Sequence, residues 1–393
     1  MRKAVIALII LSLILAVGCS TTEKITEGGD STTTIREYIL PDADIVVETG
    51  YVHLYDADLE LVTMYTGLDA MADAVLDAAS GYTVYVGEGT FDPGHKIIVN
   101  KSLKIKGAPN IAGAEEAILN GGGVHDILEV QNDAVLELEN LQLYDGDSGV
   151  FVKNGGLIMA GCKVSSCDWG VDMDTAESVT IDNSEFLGNM TGVLSRGDLL
   201  LKNSLFKDNY DDYTAEGGGG LKVYSGTAYA YNNIFCENKT DDYGGAALIR
   251  GAATTYFYNN VFYNNDAADA GAVYLTQNGS SLTGANNIFW GNTAAGWGQD
   301  IAKSQTTALD LTYSCIESGE YYDVMVPGDV SLLGEPGNID ANPLFVDAAN
   351  YNFNLGAGSP CEDTGTSSGA LSTDKVGESR PQGADYDMGA YER

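Results

Sequence analysis

Phe235-Cys236-Glu237-Asn238 returns 27 residues later as Phe262-Tyr263-Asn264-Asn265, and 27 later again as Phe289-Trp290-Gly291-Asn292. Two earlier copies, Phe186–Asn189 and Phe206–Asn209, precede their successors by 20 and 29 residues. Another Asn stands three residues before every Phe: Asn183, Asn203, Asn232, Asn259 and Asn286. A second motif falls between the later copies, as Gly219-Gly220-Leu221, Gly244-Gly245-Ala246-Ala247 and Ala270-Gly271-Ala272-Val273. Self-similarity at this period marks a solenoid or another repeat array.

The segments before each Phe alternate. Val179/Ile181, Leu199/Leu201, Ala228/Ala230 and Thr255/Phe257 face one way, and Thr180/Asp182, Leu200/Lys202, Tyr229/Tyr231 and Tyr256/Tyr258 the other. That is the period of a strand buried on one side, and Gly and Asn interrupt it too often for a helix. A coil of short parallel strands, one turn per repeat, satisfies the backbone groups through the turns above and below. It stacks Phe on Phe inside and puts Asn at bends, where left-handed backbone is tolerated. The expected fold is all-β: a single-stranded right-handed parallel β-helix with a short N-terminal capping helix.

The Phe-x-x-Asn and Gly-Gly-Ala motifs resemble the repeats of the polymorphic outer membrane proteins. More broadly they resemble right-handed parallel β-helix proteins of the pectin-lyase-like fold. The likeness covers about residues 180–300 and implies a fold, since that architecture carries lyases, glycosidases, adhesins and inert surface proteins alike.

Outward from the repeats, residues 1–19 read as a targeting segment. Arg2 and Lys3 precede an apolar run from Ala4 to Val17 that is short for a membrane helix. Ala16-Val17-Gly18-Cys19 resembles the lipobox of bacterial lipoproteins, which implies cleavage before Cys19 and its acylation. Ser20 in place of Asp then leans towards the outer membrane or cell surface. Residues 20–36, rich in Thr, Ser, Gly and Glu, read as a flexible tether. Residues 37–96 hold candidate strands at 45–47 and 51–55. They also hold a helix from Gly67 to Ala79 with an apolar face of Leu68, Met71, Ala72, Val75, Leu76 and Ala79. Such a helix resembles the N-terminal cap of pectin-lyase-like coils, which plugs an open core and an unpaired edge. Residues 97–316 are the coil, with Leu143 and Val164 at the Phe position and Cys167 at the Asn position. Residues 317–393 are expected to be an insertion and a C-terminal cap. Asn342-Pro343-Leu344-Phe345 and the run from Arg380 to Glu392 are similar to the choice-of-anchor Q region of bacterial β-helix surface proteins.

The chain carries a formal charge of −36. So acidic a surface argues against nucleic acid or anionic lipid as a partner. Five cysteines follow Cys19. Cys162–Cys167 and Cys315–Cys361 are the pairings considered, against the plainer reading of small buried side chains.

The signatures expected of a polygalacturonase-like hydrolase or a pectate lyase are missing, and the three His residues, His53, His95 and His125, all precede the clear repeats. Two features suggest binding instead. Asp211, Asp212, Asp241, Asp242, Asp266 and Asp269 follow successive motifs, and stacked turns would gather them round a calcium ion. The plainer reading is a solvated acidic edge. Tyr229, Tyr231, Tyr256 and Tyr258 should form an outward square able to meet sugar rings or a protein, or simply to stabilise the sheet. The expected function is non-catalytic: a surface lipoprotein for adhesion or for glycan or protein binding. An extracellular polysaccharide lyase or glycoside hydrolase is the runner-up, and an inert structural surface protein the third reading.

Overall fold

Phenylalanine rings form one internal column. In this computed structural model Phe186, Phe206, Phe235, Phe262 and Phe289 pair in register from coil to coil. Successive ring centroids lie 4.7, 4.7, 5.0 and 4.6 Å apart, with planes within 16° of parallel. Val164 and Leu143 continue the column towards the N-terminus, as counting back from Phe186 predicts, and Leu119 extends it by one more coil. The structure describes residues 24–26, 35–37, 45, 47–107, 117–176, 178–213, 217–277 and 279–393.

Each coil contributes one strand to each of three long sheets. Sheet I contains Ser178–Asp182, Asp198–Lys202, Thr227–Tyr231, Thr254–Tyr258, Ser281–Ala285 and Ala308–Thr312. Sheet II contains the Phe strands, such as Ile234–Cys236 and Val261–Tyr263. Sheet III contains Leu221–Val223, Ala247–Ile249, Val273–Leu275 and Ile301–Lys303. A short sheet IV, starting at Tyr210–Asp211 and ending at Thr293–Ala294, lines the corner between II and III. The coil is the expected right-handed parallel β-helix.

The asparagines divide into two jobs. Those three residues before Phe all take positive φ, 44° to 60°, and turn the corner from sheet I to sheet II. Those three residues after Phe form a buried ladder. The Asn238 amide donates to the Phe206 carbonyl (3.0 Å) and to Asn265 Oδ1 (2.9 Å), while its own Oδ1 accepts from the Asn209 amide (2.8 Å) and backbone N–H (3.3 Å). Two donors and two acceptors are thus all used, which no other side chain of that size can do. A second ladder, Asn233–Asn260–Asn287, sits two residues before Phe and repeats the arrangement; Ser204 and Ser314 extend it at either end. The Gly-Gly-Ala motif has its own reason. A Cβ at Gly220 would stand 2.9 Å from the Phe235 ring, so a minimal residue there admits the Phe column.

The ends close with antiparallel strands. Tyr51–Tyr55 pairs antiparallel with both Leu61–Thr66 and Thr83–Val86, ending sheet I. Helix α1, Ala70–Asp77, is shorter than its sequence pattern and buries Ala70, Met71, Ala74 and Val75. Leu68 and Leu76, assigned to its apolar face, are 63% and 74% exposed. Leu68 lies before the first turn and Leu76 points away from the coil. Lys24–Thr26 and Ile35–Glu37, within and beside the expected tether, form a separate antiparallel pair. Cys19 and residues 1–19 lie outside the described residues. Among the described residues no helix is long and apolar enough to cross a membrane.

The C-terminal region departs from expectation. Residues 317–341 cap the coil: Leu332 enters the main core, Asn338 extends the second ladder beyond Ser314, and Asp329–Ser331 closes sheet III antiparallel. Residues 342–393, expected in the cap, lie along the flank instead. Phe353, Leu355, Cys361, Met388 and Ala390 pack on Ile234, Val261, Ile288 and Cys315, the outward residues of sheet II. The reason is visible one residue before each Phe, where polar Glu185 gives way to Leu205, Ile234, Val261 and Ile288. Apolar side chains on an outer face need a cover, and the tail supplies it. The corner asparagines dock it: Asn232 Nδ2 donates to Thr373 O (3.0 Å), Asn259 Nδ2 to Asp387 O (3.0 Å) and Asn286 Nδ2 to Thr366 O (2.7 Å).

Candidate functional site

The four tyrosines stand together on the outer face of sheet I, because Ala228, Ala230, Thr255 and Phe257 take the inward places. Tyr229 lies over Tyr256 at 4.6 Å and Tyr231 over Tyr258 at 5.6 Å, with planes 8° and 15° apart. The rings therefore stack along the coil axis and use one face each on one another. A flat patch of four open faces, as expected from sequence, is not what forms. A two-layer plate forms, presenting edges and hydroxyls outward.

Register decides which ring faces stay free. On the N-terminal side Tyr229 and Tyr231 are followed by Leu200 and Lys202, long enough to cover a ring. On the C-terminal side Tyr256 is followed by Thr283 and then by exposed Asp310, and Tyr258 by Ala285 and then Thr312. Thr and Ala are too short to cover a tyrosine ring. Gly369 of the tail lies against Tyr258. By register this leaves a shelf beside Tyr256, with Thr283 and then Asp310 at the same place in the next two coils. Burial raises the hydroxyl pKa of Tyr231 and Tyr258, helped by neighbouring tyrosines. Those two hydroxyls thus stay neutral at physiological pH.

The six aspartates do not assemble. Counted from the ladder Asn, Asp211 is second, Asp241 third, Asp266 first and Asp269 fourth, so stacking places unlike residues over one another: Asp211 pairs with Thr240, and Asp266 with Lys239 and Thr293. Asp211 turns inward to Lys222 at 2.9 Å. Asp241 accepts from the Tyr210 hydroxyl (2.9 Å), Asp266 from Thr293 Oγ1 (2.8 Å) beside Lys239 (3.2 Å), and Asp269 from the Trp297 backbone N–H (2.9 Å). Asp212 is exposed, and its charge helps raise the pKa of Asp168 after burial of that carboxyl. Asp242 lies half-buried in the same corner. Among the described residues no three His, Cys, Asp or Glu side chains converge well enough to hold a metal ion. Chelation is accordingly expected to leave the melting temperature unchanged; a drop of several degrees on chelation, reversed by calcium, would contradict this arrangement.

A second concavity opens where the tail's cover over sheet II ends. Asn183, Glu185, Lys163, Tyr351, Tyr391 and Lys375 line it. Lys375 donates to the Asn203 carbonyl. Burial pulls its pKa down to about 8, against the attraction of Glu185, Asp182 and Asp374. Sequence reasoning missed this residue, because nothing local announces that the tail reaches back to Asn203.

Residues 148–308 match the family described as right handed beta helix region. The chain is similar in fold to the crystal structure of pectate lyase Pel9A, with 14% identity, 82% of this chain and 91% of that chain covered, and a TM-score of 0.46. No curated protein matches it in sequence. The chain is a right-handed parallel β-helix protein, and that architecture by itself carries no activity with it.

Proposed function

We propose that this protein is an exported, non-catalytic binder of glycans, held at the outer membrane or cell surface by acyl chains on Cys19. The observation that supports it best is the shelf at Tyr256. Sugars present an apolar ring face edged with hydroxyls, and an aromatic face flanked by a hydroxyl and a carboxylate complements both. Thr283 and Asp310 supply the polar partners.

Retention on a glycan array tests the reading. Tyr256→Ala is expected to lower affinity for the retained glycan about 10- to 100-fold, the scale of losing one aromatic anchor. Asp310→Asn should cost less, and Tyr229→Ala less still, because its ring is covered. Equal retention by Tyr256→Ala and the parent removes this function.

One observation favours the polysaccharide lyase reading as an alternative. A lysine with a pKa of about 8 in a groove is suited to take a proton alpha to a uronate carboxylate. Release of unsaturated ends from an acidic polysaccharide, lost in Lys375→Met and kept in Tyr256→Ala, would establish it in place of the binder.

A further inference from the structure

Cys361 of the tail meets Cys315 of the last full coil. Both side chains are fully buried in one apolar cluster. The Cys315 thiol donates to the Ala341 carbonyl at 3.1 Å, and Cys315 is the neighbour that does most to raise the pKa of Cys361. The backbone around each is fixed. Cys315 N–H donates to Asn287 O (2.9 Å), Met388 N–H to Cys361 O (3.0 Å) and Cys361 N–H to Ser359 Oγ (3.2 Å). The remaining cysteines are placed differently. Cys162 stands in the ladder of Ser184 and Ser204, and Cys167 in that of Asn189, at opposite ends of the strand Lys163–Ser165. The Cys162–Cys167 pairing considered from sequence is therefore set aside.

We infer that Cys315 and Cys361 join as a disulfide, a covalent latch that fastens the tail to the coil. The chemistry is thiol–disulfide exchange. One cysteine thiolate attacks a donor disulfide, such as oxidised glutathione or the active disulfide of a dithiol oxidase, and releases one donor thiol. The second cysteine then attacks the mixed disulfide and releases the other. Two protein S–H bonds and one donor S–S bond become one protein S–S bond and two donor thiols. Once the tail is docked, the neighbouring thiol and burial push the Cys361 pKa far up, so little thiolate exists and no donor can enter. The bond must form while the tail is docking, and after that it is shielded from reductant.

The full chain, refolded with and without oxidised glutathione, decides the matter without reference to export or to the tyrosine shelf. After oxidative refolding, alkylation in denaturant is expected to label two fewer of the six cysteines. Cleavage at glutamates should yield a peptide pair joined through Cys315 and Cys361. The melting temperature should rise by roughly 5 °C, because closing a long loop restricts the unfolded chain. Cys361→Ser should abolish the link and the rise, whereas Cys162→Ser, which copies the next coil, should keep both. Complete alkylation after oxidative refolding, or a link from Cys361 to any other cysteine, overturns the inference. The peptide map of the parent decides it even if Cys361→Ser does not fold.

Discussion

Asp300→Asn is expected to stabilise the protein at neutral pH and to remove most of the fall in its stability between pH 5 and 8. Asp300 ends the buried ladder that runs through the coil: Asn292 Nδ2 donates to its Oδ1 at 2.8 Å, while its Oδ2 is buried with no hydrogen-bond partner. Burial pushes its pKa up to about 8, opposed by the Asn292 hydrogen bond and reinforced by Glu317 and Asp340. The native state therefore keeps a proton that the unfolded chain, with an ordinary carboxyl, gives up near pH 4. The native state binds more protons than the unfolded state throughout that window, so stability falls as pH rises from about 4 to about 8 and then levels. At pH 7 the gap costs on the order of 4 kcal/mol.

An amide keeps the accepting oxygen and has no proton to lose. Its own buried N–H groups give back about 1 kcal/mol of the gain, leaving roughly 3 kcal/mol at pH 7. Urea melts at a series of pH values measure this directly. The residual slope in the variant belongs to carboxyls such as Asp387, which burial raises to about 6. Identical slopes in variant and parent would mean that Asp300 is ionised in the native state.

Asp300 also shows where reading the sequence stops. Phe-x-x-Asn predicted the column because the period is local and repeats five times. It could not predict what ends the ladder, since Asp300 comes from the bend just before the sheet III strand Ile301–Lys303 rather than from the next copy. In the doublets Asn232-Asn233, Asn259-Asn260 and Asn286-Asn287 the first residue turns the corner and the second carries the buried ladder, and residue type alone does not tell the two jobs apart. The change from Glu185 to Leu205, Ile234, Val261 and Ile288 likewise announced a cover over sheet II, without saying which part of the chain provides it. The tyrosine square was legible as alternation. Its stacking was not, because the side-chain torsions that turn rings face to face leave no trace in spacing. The aspartates failed as a cluster on simple arithmetic, since their offsets from the ladder Asn differ from coil to coil.

The largest loss is expected from Lys222→Leu, and the structure itself contains the change that restores it. Lys222 occupies an outward position of sheet III, in register with Leu194, Leu248 and Tyr274. The corner segment carrying sheet IV covers that face, so Lys222 is 2% exposed and Asp211, its partner, 0%. Removing the lysine alone leaves a carboxylate sealed from water without its counter-ion, a defect that costs about 3–5 kcal/mol. An intact buried pair, however, adds little over apolar packing, because the attraction mostly offsets the cost of drying both charges. The next coil tests that claim within the same molecule. There Leu248 stands in the place of Lys222 and Thr240 in the place of Asp211; one coil further on they are Tyr274 and Ala267. Both coils fold the same corner over the same sheet with no ion pair at those two places. Asp211→Thr combined with Lys222→Leu is therefore expected to lie within about 1 kcal/mol of the parent, while Lys222→Leu alone loses several times as much. Denaturant midpoints of the two singles and the double give the coupling directly. A double variant as damaged as the single would show that the pair holds the corner through its charges rather than merely filling the space beneath it.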